Sequence, residues 1–121
     1  MTHPVTLRLF IPGRLISQSN ARTSWPVRAE YAARWRRNVR LTWLEQGRPT
    51  WEGPAHLTFH CYVRRLYDSD NLPHAVKAVR DEAVACICGS DDGPRSGHKF
   101  SYRQEARTDL RGVLIEVTAC A

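Results

Sequence analysis

Residues 55–71, AHLTFHCYVRRLYDSDN, decide how this chain is read. Leu57, Phe59, Cys61 and Val63 alternate with His56, Thr58, His60, Tyr62 and Arg64. That period of two marks a strand with one apolar and one polar face, expected over 55–65. The strand runs directly into Asp68-Ser69-Asp70-Asn71. Asp68 and Asp70 are two apart, so on an extended segment both carboxylates point the same way. A helix is expected next, over 72–85, with Leu72, Val76, Val79 and Ala83 on one apolar face. Pro73 fits there because it falls in the first turn.

The flanks complete the pattern. Val5, Leu7, Leu9 and Ile11 alternate as a strand that Pro12-Gly13 ends, and residues 14–26 read as a loop. A helix is expected over 27–46. Tyr31, Trp35, Val39 and Trp43 recur every four residues beside Ala32, as a core stripe or a base-stacking platform. Arg36, Arg37 and Arg40 fall largely on the opposite side, as a phosphate-contacting or a solvated face. Residues 86–97 read as a loop carrying Asp91-Asp92. His98, Phe100 and Tyr102 then alternate as a strand, residues 107–112 turn, and Val113, Ile115 and Val117 form the last strand. The expected order is β-α-β-α-β-β. That makes one small α/β or α+β domain over 1–121, a mixed sheet flanked by two helices.

Composition sets the partner class. The 121 residues are 42% hydrophobic and 25% charged, ordinary for a globular chain, with a net charge of +6. Residues 1–65 hold eleven Arg against three Glu, whereas residues 66–121 hold seven Lys or Arg against nine Asp or Glu. Arginine forks match phosphate oxygens bidentately, so the basic half points to nucleic acid or another anionic surface. No stretch approaches the roughly 20 apolar residues of a membrane span, and residues 1–10 do not read as an export signal. The expected location is the cytoplasm, with no membrane partner. Cys61, Cys86, Cys88 and Cys120 lack the paired spacing of a zinc site and read as reduced, mostly buried thiols.

The acidic cluster carries the chemistry. Magnesium takes oxygen ligands and keeps several waters, so one to three carboxylates suffice. Asp68 and Asp70, with Asp91 and Asp92 from a returning loop, form a candidate set. The competing reading is an ordinary turn, which Asp, Ser and Asn also build. Asn71 offers a neutral carbonyl ligand or a helix N-cap. His74, Lys77 and Asp81 share a helix face. Lys77 can neutralise charge on a scissile phosphate or pair with Asp81. His56 and His60 share a strand face, but such a pair usually meets solvent and is not expected to bind metal.

Asp68-x-Asp70-Asn71-Leu72, Lys77-x-x-x-Asp81, Asp91-Asp92 and the closing Gly112-Val-x-Ile-x-Val117 together resemble the RusA-type Holliday junction resolvases. The similarity spans about residues 55–118. A looser match comprises Phe10-Ile11-Pro12-Gly13 and Asn20. The resemblance implies a RusA-like fold and a homodimer that binds four-way DNA junctions. It implies symmetric paired nicks with magnesium, manganese being an expected substitute, in a bacterial or phage-infected cytoplasm. Asp68, Asp70 and Asp92 would be the metal-binding catalytic carboxylates, Asp91 the alternative to Asp92, and Lys77 the catalytic lysine. Asn71, His74 and Asp81 would support them, and Arg36, Arg37, Arg40, Arg64 and Arg65 would contact DNA. Many family members carry the lysine where this chain has His74, so the role falls to Lys77 or His74. The alternatives are a non-cleaving protein that binds branched DNA and a nuclease for flaps or forks.

Overall fold

β2, Ala55–Val63, is the central strand of the domain. Its apolar phase, Ala55, Leu57, Phe59, Cys61 and Val63, is buried at every position, while the intervening residues are only partly covered. The computed structural model describes residues 6–16, 25–68, 71–89 and 96–120. Val5, Asn20, Asp70, Asp91 and Asp92 lie outside the described residues. The other elements are β1 (Leu7–Pro12), α1 (Trp25–Glu45), α2 (Leu72–Ala83), β3 (Lys99–Ala106) and β4 (Gly112–Ala119). Their order is the expected β-α-β-α-β-β. The domain is a small α+β unit with a four-stranded mixed sheet and two helices.

The sheet order is β1-β4-β2-β3. β4 is antiparallel to both β1 and β2, and β2 is parallel to β3. β1, β2 and β3 therefore run one way, with β4 inserted against them. Both crossovers, through α1 and through α2, step across the sheet in the same direction. Right-handed connection of twisted strands puts both helices on one face. There Trp35 and Val39 of α1 join Leu72, Val76, Val79 and Ala83 of α2 over Leu9, Ile11, Phe59, Ile115 and Val117 in one core. Burying each large apolar side chain contributes about 1.5–3 kcal/mol. The four-residue stripe on α1 packs into that core, with Tyr31, Ala32 and Trp43 at its margin.

Several boundaries differ from expectation. α1 begins at Trp25, two residues earlier, because Pro26 is well suited to a first helical turn. The segment after α2 does not open into a loop at Cys86. It continues as one π-helical turn, Val84–Cys88, which buries Val84 and Ile87 and ends at Gly89 with φ 63°. Cys61 is fully buried, but Cys86, Cys88 and Cys120 are only half-buried. Gly112 has φ 154°, and a Cβ there would lie 2.5 Å from the Ile11 carbonyl oxygen. Glycine is needed where β4 starts between the ends of β1 and β2.

Candidate functional site

Parallel strands gather their carboxyl ends on one edge, and open sheets bind ligands beyond that edge. Here Pro12 of β1 and Tyr62 of β2 both pair with Gly112, and Val63 pairs with Ala106. The segments after β1 and β2 and before β4 and α2 therefore meet. Arg14, Leu15, residues 62–68, Asn71 and Arg111 line a cavity of about 520 Å³ there. Arg14, Arg64, Arg65 and Arg111 are four arginines in its lining, and Asp68 is the one acidic residue there among the described residues.

Asp68 is exposed, but its backbone is fixed. Its carbonyl accepts from the amides of Asn71 at 3.0 Å and Leu72 at 3.3 Å, which starts α2. Just before it, Tyr67 is held from two sides. Its amide donates to Gln104 Oε1, and its carbonyl accepts from Gln104 Nε2, both at 2.8 Å. Its hydroxyl donates to the Leu15 carbonyl at 2.6 Å. Burial raises the Tyr67 phenol above its ordinary value, an effect that outweighs the opposing pull of Arg14. Asn71 occupies the N-cap position with no side-chain capping bond, so the cap alternative is not used. Asn71 lines the cavity together with Asp68.

The helix residues sit in a separate space. His74, Lys77 and Asp81 line a groove of about 210 Å³ between α1 and α2, with Arg28, Tyr31 and Arg36. His74 and Lys77 thus reach the same groove. Lys77 Nζ is 3.1 Å from Asp81 Oδ2, the helical pair that was its alternative role. Lys77 is largely exposed, so the pair adds little stability. Arg80 approaches Asp81 at 3.5 Å and donates to the Tyr102 hydroxyl at 3.0 Å.

Of the basic residues expected on the surface, Arg64 and Arg65 line the main cavity and Arg36 the groove. Arg37 is exposed on α1. Arg40 is engaged, its Nη2 3.0 Å from Glu82 Oε2, and this partner holds its guanidinium above the ordinary value. Glu82 is buried and also accepts from the Cys86 thiol at 3.3 Å. His56 meets Ser101 Oγ at 2.7 Å and His60 meets Glu116 at 3.8 Å. Neither contact builds a metal site.

Arg14, Arg111, Tyr67 and Gln104 escaped the sequence reading. Gln104 left a usable signal, because it continues the phase of Phe100 and Tyr102, two core-packed residues of β3. A polar residue on the apolar phase of a strand requires a partner. Arg14 and Arg111 reach the cavity only through the sheet order, which local sequence does not encode.

Asp68 and Asn71 offer oxygen donors of the hard kind that magnesium selects. Among the described residues no three His, Cys, Asp or Glu side chains gather as a metal site. Asp70, Asp91 and Asp92 are not among them. No described helix is long and apolar enough to cross a membrane. Fold and site define a small α+β domain with a basic, carboxylate-bearing cavity at the carboxyl edge of its sheet. No protein-family model and no curated protein matches the chain.

Proposed function

We propose that this chain is a magnesium-dependent, structure-selective endodeoxyribonuclease with a RusA-like fold, acting on four-way DNA junctions as a homodimer. The observation that carries the reading is the placement of Asp68 in a cavity with four arginines, at the carboxyl edge of β1 and β2. Cationic walls favour docking of a polyanion, and an oxygen-ligated cation beside the phosphate promotes phosphodiester hydrolysis. Asp68 and Asn71, with Asp70 and Asp92 or Asp91, would hold magnesium. When bound, it supplies Lewis acidity toward the phosphodiester.

The chain's own residues have separate tasks in this reading. Arg14, Arg64, Arg65 and Arg111 bind and orient the phosphate backbone through forked hydrogen bonds. The ties of Tyr67 and Asn71 fix the backbone that carries the Asp68 carboxylate. Lys77 or His74, which line the groove between α1 and α2, would neutralise charge that develops on the phosphate or leaving oxygen.

A second reading is a branched-DNA-binding protein without cleavage. The Lys77–Asp81 pair favours it, because that ammonium already has a carboxylate partner. A nicking assay on a synthetic four-way junction, with and without magnesium, separates the two. Paired nicks that require magnesium support the nuclease. Tight junction binding with no nicks supports the binding protein. Flap and fork substrates beside the junction rank the structural preference.

A further inference from the structure

We propose that Gln104 is a positioning residue for Asp68, acting through the backbone of Tyr67. The inference rests on the nuclease reading for the metal that Asp68 would hold. Its geometry stands apart from that reading. Gln104 is on β3, opposite Cys61 in the parallel pairing with β2. β2 ends at Val63, so the chain that carries Asp68 has left the sheet and has no strand neighbour of its own.

The Gln104 amide takes the place of that neighbour. Its Oε1 accepts from the Tyr67 amide and its Nε2 donates to the Tyr67 carbonyl, both at 2.8 Å. One side chain thereby satisfies the donor and the acceptor of one residue, as an adjacent strand would. Asp68 follows immediately, and its carbonyl starts α2. The carboxylate is thus suspended between a clamp on one side and a helix start on the other. Partners behind a metal ligand set its orientation, and their loss typically weakens metal binding by about 10-fold to 100-fold.

Only an amide of this length supplies both halves. Gln104→Glu keeps the acceptor for the Tyr67 amide and loses the donor to its carbonyl. Gln104→Ala loses both.

The test uses the full chain and two independent readouts. Amide hydrogen exchange at Tyr67 is measured without metal, and manganese binding is titrated by paramagnetic resonance. In Gln104→Ala, exchange at Tyr67 is expected to quicken roughly tenfold or more, and manganese affinity to fall roughly tenfold. Gln104→Glu should fall between, and it carries the test if the alanine variant does not fold. Unchanged Tyr67 exchange in both variants overturns the clamp. Quickened exchange with unaltered manganese affinity overturns its role toward Asp68. A wild-type chain that neither binds manganese nor nicks branched DNA overturns the nuclease reading and the metal half of this inference. The exchange result still decides the clamp.

Discussion

The Tyr67 hydroxyl donates to the carbonyl of Leu15 at 2.6 Å, joining the segment after β2 to the segment after β1. Both segments line the basic cavity, so this hydrogen bond ties two parts of its lining together. Tyr67→Phe removes the donor and leaves the carbonyl of a buried residue short of a partner. The expected loss is about 1–2 kcal/mol, read from urea denaturation. Nicking should decline without vanishing, since the Gln104 contacts with the Tyr67 backbone remain.

Asp68→Asn should abolish magnesium-dependent nicking of a four-way junction while leaving binding intact or tighter. An amide keeps the shape but loses the charge a cation requires. Retained cleavage would overturn the assignment. Lys77→Ala and His74→Ala, compared at one magnesium concentration, identify which side chain serves the phosphate. The responsible one should cost roughly 100-fold or more in turnover.

DNA affinity should fall steeply with salt. Each neutralised phosphate contributes roughly −0.9 to the slope of log affinity against log salt, so four engaged arginines give about −4. Arg14→Ala and Arg111→Ala should each reduce that slope by about one. Arg111 has a second duty, since its Nη1 donates to the carbonyls of Arg107 and Leu110. Its variant should therefore also lower the melting temperature, whereas Arg14→Ala should not.

Arg40 behaves differently from its neighbours on α1. Arg40→Ala leaves the buried Glu82 carboxylate with the Cys86 thiol as its one partner among the described residues, and should lower the denaturation midpoint. Arg37→Ala should leave the midpoint unchanged and weaken DNA binding. In the background of Glu82→Met, the Arg40→Ala penalty should disappear, a coupling that a double-mutant cycle measures.

The buried thiols set an alkaline limit. Burial pushes the Cys61 thiol from the ordinary 9.0 up to about 12. Burial, with the Glu82 carboxylate beside it, pushes Cys86 up to about 11. The folded state therefore holds these protons more tightly than the unfolded state. Their stabilising contribution is complete below pH 9 and is lost as pH rises toward 11–12. Stability should decline across that window, and thiol-reactive reagents at pH 8 should label Cys61 only after denaturation.

Periodicity alone carried much of the fold. The alternation in β2, the four-residue stripe of α1 and the apolar face of α2 each report a local period that burial then exploits. The π-helical turn at Val84–Cys88 was not legible, because its stability comes from packing Ile87 and Val84 rather than from local preference. The site divides in the same way. Asp68 and Asn71 announced themselves by type and spacing, as did the shared face of His74, Lys77 and Asp81. Their separation into a cavity and a groove did not follow from spacing.

The sequence by itself determined the order of elements, their apolar faces and the acidic segment after the central strand. Only the tertiary structure decided that β4 enters between β1 and β2, and therefore that Arg14 and Arg111 join Asp68. It also decided that Gln104, thirty-seven positions further along the chain, holds Tyr67, the residue before Asp68. Local patterns follow from periods of two and 3.6 residues. Which strands become neighbours depends on how distant faces bury one another, and that partnership is written in no single segment.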